Sequence, residues 1–346
     1  MKNPLKLEIV QQQRQNALYN WVEQQLGAPL ISIQAITGDA SFRNYYRVKT
    51  PHQSYMAVDA PPEYDLGNEA FVYISRAFLA KGLRVPVIYH FNFEKGFLLV
   101  SDLGDEVYAK VLTANNVDNL YSQALEALVH IHTCDSIPNY NLPHFNSNFL
   151  RQELVFFQQW YLDKHLKLSL ARAEKKLVES TLNTIIQVVE SQPQCCVHRD
   201  YHSRNLLVVE GQTGIIDLQD AVWGPITYDA VSLLRDCYVA WPAEQVNQWA
   251  LQFFDHLQQA QLLKHCSAEQ FLRWFDFTGI QRHLKAIFIF ARKYWRDNDA
   301  RYLPDIQRAL NYIDALCPQY KELRNFHDWL GQIILPTHLQ VQESLV

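Results

Sequence analysis

The sequence predicts an α+β fold with two lobes: a small antiparallel β-sheet lobe with one helix, then a larger, mostly helical lobe. Two observations predict it. Short runs rich in Val, Ile and Tyr, broken by turn residues, fill the first hundred residues. Beyond residue 106, apolar residues recur at three-and-four spacing, as in amphipathic helices. A chain of 346 residues is long for one core and comfortable for two lobes.

The N-terminal lobe is assigned to residues 1–100. Its elements are bounded by turn residues and by helix-ending glycines. In chain order they are a helix over 9–26, strands over 30–36, 44–50 and 54–60, a helix over 66–82, and strands over 86–92 and 96–102. The first three strands, separated by short polar turns, predict an antiparallel meander.

The connector "SDLGDE" separates the two patterns, and we expect a hinge at 101–105. Residues 106–346 form the second predicted lobe. Its helical periodicity is interrupted at "NLLVVE" and "GIIDL", two strand-like runs joined by a glycine-containing turn. We interpret these runs as a hairpin inside the helical lobe.

Composition excludes several classes of protein. The hydrophobic fraction of 48% and the charged fraction of 19% indicate a folded globular chain, and the net charge of −5 disfavours a nucleic-acid partner. The six cysteines form no C-x-x-C pair, which argues against structural zinc. The N-terminus has no apolar secretory segment, and no apolar run is long enough to span a membrane. We therefore expect a cytoplasmic monomer that binds neither nucleic acid nor membrane.

The segment "HRDYHSRNLLVVEGQTGIID" carries the chemistry. Asp200 and Asn205 bracket a loop, and the predicted hairpin then brings Asp217 back alongside Asn205. Two oxygen ligands so placed suit Mg²⁺, which takes few protein ligands together with phosphate oxygens and water. Asp200 is placed to accept the proton of a hydroxyl nucleophile. This division of labour is that of phosphoryl transfer by kinases.

Each of these residues, taken alone, could be an ordinary polar residue of a solvated turn. The ordered set is much more specific, because its spacing and its flanking apolar runs agree with one mechanism. The eleven glycines form neither G-x-G-x-x-G nor the phosphate-binding G-x-x-x-x-G-K-[ST] pattern, so a P-loop enzyme and an ordinary dinucleotide binder are disfavoured.

These segments resemble the aminoglycoside phosphotransferase family of small-molecule kinases, which shares the protein-kinase-like fold. The resemblance runs from about residue 30 to residue 315 and is carried by "TGDASFRNYYRV" (37–48), "NEAF" (68–71), "LLVSDLG" (98–104), "VHRDYHSRNLLV" (197–208) and "GIIDLQDAVWGPITYDAVSLLRD" (214–236). Within the family, "DLQDAVWGPITYD" is most similar to the anomeric N-acetylmuramate/N-acetylglucosamine kinases of cell-wall recycling. The resemblance implies ATP, Mg²⁺ and phosphorylation of a small-molecule hydroxyl at C1.

The resemblance also implies roles for individual residues. Asp200 would be the catalytic base, and Asn205 and Asp217 the magnesium ligands. The hairpin around Ser41 would cover the phosphates. Ser101, Asp102 and Leu103 would meet the adenine edge through backbone groups.

One departure concerns the third strand, where kinases of this fold usually have a Lys that contacts phosphate and pairs with a helix Glu. Glu69 could be that glutamate, but "SYMAVDA" contains neither Lys nor Arg. Arg43, Arg47 and Lys49 fall on one face of the second strand by alternation, and one of them could serve the phosphates instead.

The nearest polar candidates for the acceptor are His202, Arg204 and Gln219. The basic stretch at 282–297 favours a neutral or anionic acceptor, such as an amino sugar with a lactyl carboxylate, over a cationic antibiotic. The alternatives are another acceptor on the same fold (an aminoglycoside, a choline-like amino alcohol or a thio-sugar) and a pseudokinase that binds without turnover. The complete set of Asp200, Asn205 and Asp217 argues against the pseudokinase.

Overall fold

The structure, a computed structural model, describes residues 4–27, 29–36, 43–64 and 66–345, with side chains from residue 11 onward except that of residue 154. Ser41 lies outside the described residues. The chain divides into two compact units. The first comprises Met1–Val111, Ser136–Asn141 and Arg204–Ala221, and the second Leu112–Asp135, Leu142–Ser203 and Val222–Val346.

The first unit carries most of the β-structure. Its elements are α1 (Pro4–Leu26), β1 (Ser32–Ile36), β2 (Asn44–Lys49), β3 (Ser54–Asp59), α2 (Asn68–Ala80), β4 (Ile88–Asn92), β5 (Phe97–Ser101), α3 (Tyr108–Val111), β7 (Leu206–Val209) and β8 (Gln212–Ile215). β1 to β5 form one five-stranded antiparallel sheet, and β7 pairs with β8. The predicted small antiparallel sheet with its helix is confirmed.

The strand order of the sheet is β1-β2-β3-β5-β4, so β5 lies inside the sheet and β4 at its edge. The burial of the two strands explains this order. Phe97 to Val100 are all at most 3% exposed, as expected of a strand covered on both faces, whereas the β4 residues are partly exposed. The sequence predicted both strands. In the sheet β5 comes before β4, the reverse of their order in the chain, and this order matches their difference in burial.

Helix α1 covers one face of the sheet. Leu18, Trp21 and Val22 pack with residues of β2, β3 and β5 in one buried cluster that includes Ala57 and Leu99. Because side chains alternate along a strand, the residues on either side of Ala57 in β3 point to the opposite face. The sheet therefore has a face covered by α1 and a second face, which carries Met56 and Val58.

The second unit is mostly helical, as predicted. Its elements are α4 (Val117–His132), α5 (Ser147–Phe156), α6 (Arg172–Glu190), β6 (Gln194–Val197), β9 (Val222–Pro225), α7 (Tyr228–Leu234), α8 (Ala243–Gln259), α9 (Ala268–Asp297), α10 (Leu303–Leu316), α11 (Arg324–Trp329) and α12 (Leu335–Leu345). The 30-residue α9 forms its centre and packs against α6, α7, α8 and α10. The sequence did not predict the antiparallel β6–β9 pair, whose strands are four residues long.

Within the described residues, none of the helices has an apolar stretch long enough to cross a bilayer.

Candidate active site

The loop that carries Asp200 follows β6 and is held through its backbone. Asp229, in the first turn of α7, accepts hydrogen bonds from the amides of His198 at 2.6 Å and Arg199 at 2.8 Å. Asp236 accepts one from the Ser203 amide at 2.9 Å. Two buried carboxylates therefore fix both ends of the loop.

Two features of this loop show that its geometry is imposed by its surroundings. Arg199, directly before Asp200, has a φ of 78°, a left-handed conformation that non-glycine residues adopt rarely and at an energetic cost. Burial raises the pKa of Asp229 to about 6, against the opposing effect of His198 and the two backbone hydrogen bonds. The packed surroundings thus impose the left-handed backbone of Arg199 and the raised pKa of Asp229.

Asp200 faces a concentration of positive charge within its own unit. Burial alone would raise the pKa of Asp200, but nearby cationic groups lower it below the ordinary value of 3.8. In order of decreasing effect they are Lys285, His202 in its charged form, Arg282 and Arg199. The carboxylate is therefore ionised throughout the neutral range. It can accept a proton, but it is a weak base.

A second carboxylate, Glu153 of α5, completes this network. Its oxygens lie 3.5 Å from Lys285 Nζ and 3.6 Å from Arg199 Nη2, and Gln281 Nε2 donates to it at 2.8 Å. Lys285 also donates to the Tyr228 hydroxyl at 3.1 Å. Each of the two cations thus interacts with Glu153 as well as with Asp200, which holds their side chains near the Asp200 carboxylate.

In the first unit, the β7–β8 hairpin brings Asn205 and Asp217 together. Its two turn residues, Glu210 and Gly211, have φ values of 51° and 77°, the backbone of a tight hairpin turn. The Ile216 amide donates to the Asn205 carbonyl at 3.0 Å, and Asn205 Nδ2 donates to Asp217 Oδ2 at 3.2 Å. The predicted proximity of these two side chains is confirmed.

Asp217 is held by more than Asn205. Gln219 Nε2 donates to its Oδ1 at 2.5 Å, and its own backbone is left-handed with a φ of 69°. Gln219 in turn packs against Gly67 at the start of α2, where an added Cβ would lie 3.2 Å from Gln219 Cβ. A larger residue at position 67 would press on Gln219, so this glycine helps to keep the amide on Asp217.

The donor set at Asp217 fits Mg²⁺. A carboxylate and the amide oxygen of Asn205 are hard oxygen ligands of the kind that this ion prefers. Across the part of the chain that is described, no group of three or more His, Cys, Asp or Glu is arranged to hold a metal. A magnesium ion at Asp217 would therefore need further ligands from a bound phosphate or water.

The cations of β2 are placed differently from one another. Arg47 bonds to Asp102 at 2.6 Å and to Asp105 at 2.6 Å, and hydrogen bonds from Asp105 and then Asp102 raise its pKa. Ser54 also donates to Asp102 at 2.6 Å. Arg47 is thus tied to the segment in which the adenine contact and hinge were predicted. Lys49, at the end of the strand, is exposed.

Arg43 is the buried member of the three. Its Nη2 donates to the Leu66 carbonyl at 2.6 Å, and its guanidinium lies over the Phe71 ring of α2 at 5.3 Å. Burial raises the pKa of Tyr45; Arg43 opposes that shift and Asp217 adds to it, so Tyr45 is near both groups. Arg43 therefore lies on the side of the sheet that faces Asp217.

The residues of β3, the strand that carries a lysine in most kinases of this fold, serve other contacts here. Asp59, at its end, is 3% exposed and forms an ion pair with Arg14 of α1. By alternation it shares the face of Ala57, the face that α1 covers. Asp59 is therefore committed to α1, and the opposite face of β3 offers the apolar Met56 and Val58.

The remaining predicted residues lie in several places. Glu69 is exposed in the first turn of α2, and Ser101 Oγ accepts from the Val87 amide at 2.9 Å at the end of β5. Leu103 is half-buried. His202 belongs to the second unit, where its ring lies 5.3 Å from that of Tyr238, whereas Arg204, like Gln219, belongs to the first.

Comparison with known proteins identifies the family. The sequence model described as "Phosphotransferase enzyme family" matches residues 32–269, more than half of the chain.

The chain belongs to this family.

Two curated relatives of this phosphotransferase are named N-acetylmuramate/N-acetylglucosamine kinase. The protein from Pseudomonas aeruginosa is 36% identical over 297 residues, which cover 86% of this chain and 87% of that protein. The protein from Pseudomonas putida is 34% identical over 323 residues, which cover 90% and 94%. The resemblance inferred from the motifs is confirmed.

Solved structures agree on the fold. Choline kinase LicA from Streptococcus pneumoniae superposes with a TM-score of 0.61 at 12% identity, covering 86% of this chain and 99% of that one. An ADP-bound aminoglycoside phosphotransferase gives a TM-score of 0.59 at 14% identity, with 86% and 97% covered. At these identities the likeness supports the fold alone, and the predicted kinase-like α+β fold is confirmed.

Sequence reasoning missed several residues around Asp200, chiefly Glu153, Asp236 and the individual contributions of Lys285 and Arg282. Glu153 left one usable signal, because it stands at a core position of the apolar pattern of α5. A charged residue on a buried helical face needs a partner. The basic residues of α9 were noticed as a group, but their partners come from distant segments.

Proposed function

We propose that this phosphotransferase is an ATP-dependent kinase that phosphorylates the anomeric C1 hydroxyl of N-acetylmuramate and N-acetylglucosamine, in the recycling of cell-wall sugars towards UDP-sugar precursors. One observation carries the proposal: Asp200 is held on an anchored loop and kept ionised by the cations around it. The names of the two Pseudomonas relatives support the choice of acceptor. Such a reaction would take place in the cytoplasm, where ATP is available.

In the proposed reaction, the C1 oxygen of the sugar attacks the γ-phosphorus of ATP. The bond from that phosphorus to the β–γ bridging oxygen breaks, ADP leaves, and the hydroxyl proton passes to a carboxylate oxygen of Asp200. A carboxylate of lowered pKa is a weak base. The anomeric hydroxyl is more acidic than an ordinary alcohol, so it is the sugar hydroxyl that best matches this base.

Asn205 and Asp217 are the residues that we propose to hold Mg²⁺. Held by these two residues, the ion would offset the negative charge of the phosphates. Gln219 would orient the Asp217 carboxylate through its 2.5 Å hydrogen bond, a more direct account of its position than the sugar contact first expected. His202 and Arg204 stay candidates for the acceptor.

The nucleotide contacts belong to the same proposal. Arg43 is the best candidate to replace the absent lysine of β3, because it lies on the side of the sheet that faces Asp217. Arg47 would instead fix the segment that includes Asp102 against β2. Ser41, Glu69, Ser101 and Leu103 keep the roles that the resemblance implies. A lobe boundary at 101–105 and a monomeric state also stay predictions.

The product identifies the reaction. Purified protein is incubated with MgATP and, separately, N-acetylmuramate, N-acetylglucosamine, glucose, choline and kanamycin. We expect both N-acetyl sugars to react, glucose to react poorly, because unpaired polar groups would remain in the site, and the two amines not to react. Coupling of phosphorus to the anomeric proton in the NMR spectrum supports C1 transfer. A 6-phosphate, or a product that is still a reducing sugar, would contradict it, and no ATP turnover with any acceptor would favour the pseudokinase.

A further inference from the structure

Two helices of the second unit enclose a cavity of about 240 Å³, which we call the α5–α9 cavity. Four of its lining residues come from α5 and four from α9, and Arg199 closes it. They are Phe149, Gln152, Glu153 and Phe156 on α5, and Lys285, Phe288, Ile289 and Arg292 on α9. Both sets have the spacing i, i+3, i+4, i+7, so each is one continuous stripe along its helix.

The α5–α9 cavity adjoins the surroundings of Asp200. Arg199 and Lys285, which line it, are two of the cations that lower the pKa of Asp200. Its aromatic residues Phe149, Phe156 and Phe288 offer apolar surface of the kind that packs against the carbon face of a sugar ring. Ligand pockets typically measure about 300–1,000 Å³, so a cavity of about 240 Å³ is of a size that suits one sugar ring.

The charges in the cavity do not balance. Glu153 is its only acidic residue and already interacts with Arg199, Lys285 and Gln281. Arg292 lies two turns along α9 from Lys285. Among the described residues it forms no ion pair, and its buried Nε meets no hydrogen-bond acceptor. Asp297, the nearest acidic group that affects it, is ion-paired with Arg296 at 2.7 Å.

The environment of Arg292 favours an added anion. Burial, and then the charge of Arg296, lower the pKa of Arg292. Both effects disfavour an isolated guanidinium, and a carboxylate beside it would relieve them. Arginine binds carboxylates in two parallel hydrogen bonds, which gives orientation as well as affinity.

We propose that the α5–α9 cavity is the subsite for the carboxylate arm of an acidic amino sugar, and that Arg292 binds the carboxylate. This inference rests on the proposed function and deepens it, since it assigns the residue that distinguishes N-acetylmuramate from N-acetylglucosamine. The two sugars differ by the lactyl ether on O3, and that ether carries the only carboxylate of the pair.

The geometry of α9 agrees with this assignment. Lys285 and Arg292 are seven residues apart on one face of the helix, a rise of about 10 Å. Lys285 lies beside the base that would act at C1, and Arg292 lies at the far end of the stripe. In the proposed complex, C1 lies at Asp200 and the substituent on O3 extends along the stripe to Arg292.

The test compares the two sugars in the same proteins. Wild type, R292Q, R292K and R172Q are assayed with MgATP and each sugar. R172Q is the control, because Arg172 is exposed at the start of α6, does not line the cavity and is not among the groups that shift the pKa of Arg292. We expect R292Q to lower the ratio of kcat/KM for N-acetylmuramate to that for N-acetylglucosamine by about 10–100-fold, through KM, the factor of a charge-assisted hydrogen bond. R292K should recover part of the ratio, and R172Q should keep it.

The outcomes separate the two proposals. If wild type phosphorylates both sugars and R292Q leaves their ratio unchanged, the carboxylate subsite is wrong and the proposed function stands. An equal loss on both sugars in R292Q and R292K likewise overturns the subsite, because Arg292 would then not distinguish the sugar with the carboxylate from the sugar without it. If wild type phosphorylates neither sugar, the proposed function fails and the subsite fails with it.

Discussion

The two functional carboxylates differ in what surrounds them. Asp200 faces cationic side chains of its own unit, and its loop is anchored by two further carboxylates. The hydrogen bonds described for Asp217 come from the neutral amides of Asn205 and Gln219, which leave its charge in place. The contacts described for Asp200 are with cations, and those described for Asp217 are with neutral amides. This difference agrees with the roles of base and metal ligand that we propose for the two carboxylates.

The strongest test of this comparison removes the base. D200N keeps the shape of the side chain but cannot take the hydroxyl proton, and we expect kcat to fall by roughly 10²–10⁴-fold while ATP affinity stays nearly unchanged. Steady-state kinetics and nucleotide titration measure the two quantities. D220N, on an exposed carboxylate that follows Asp217, is the control. Wild-type kcat in folded D200N would refute the assignment of the base.

The second test addresses the other carboxylate. D217A should weaken nucleotide binding in the presence of Mg²⁺ by at least the ~10–100-fold that lesser changes at metal sites cost, and N205A should have a smaller effect, because its ligand is neutral. Without Mg²⁺ both variants should bind nucleotide like wild type. Equal losses with and without the metal would contradict the comparison.

A third, smaller effect concerns pH. K285M removes the cation that most lowers the pKa of Asp200, so that pKa should rise, by about one to two units. Since Asp200 must be ionised to act, activity should then be lost at a higher pH as the solution is acidified. The profile of kcat/KM against pH measures the shift, and K293M, on the same helix, is the control. An acid limb that does not move would show that another group controls it.

The depressed pKa also links Asp200 to stability. Its contribution is fully present above the unfolded pKa of about 3.9 and is lost as the pH falls through the lower folded value. K285M should therefore lower the free energy of unfolding by similar amounts at about pH 7 and pH 4, and this deficit should shrink as the pH falls towards about 2, where wild type also loses the contribution. Denaturant titrations at the three pH values measure it, and a deficit that stays constant down to the lowest pH would mean that only packing was lost.

The smallest expected effect is on ATP. R43A should raise the Michaelis constant for ATP about tenfold, the lower end of the effect of one charge-assisted hydrogen bond. K49A, on an exposed residue of the same strand, should leave it unchanged. R47A should act indirectly, because Asp102 and Asp105 would lose their partner. Normal ATP kinetics in all three variants would place the phosphate contact elsewhere, in backbone amides.

The sequence predicted whatever depends on neighbouring residues. The hairpin that joins Asn205 to Asp217 follows from two apolar runs and a two-residue turn, and the structure has it. The short β6–β9 pair was missed, because its strands are distant in the sequence, and the β7–β8 hairpin, not a direct turn, lies between them. The insertion of β5 between β3 and β4 was also missed, since strand order depends on burial of both faces and not on chain order.

In the candidate site, too, the local features were predictable from the sequence and the long-range contacts were not. The Asp200, Asn205 and Asp217 pattern was readable because its residues are local. The partners of Asp200 were not, because Glu153 and Lys285 are more than a hundred residues apart and meet only through the packing of α5 against α9. Even the commitment of Asp59 to Arg14 required knowledge of which face of the sheet α1 covers.

The paired stripes of α5 and α9 have a consequence for how acceptor preference could diverge among descendants of this chain. At one end, Glu153 and Lys285 are coupled to the charge of Asp200, so substitutions there would alter catalysis with every acceptor. At the other end, Phe156, Ile289 and Arg292 line the cavity and are not among the groups described as shifting the pKa of Asp200. With the carboxylate subsite that we propose, changes in specificity would accumulate at the far end, one side chain at a time, while the chemistry is inherited intact.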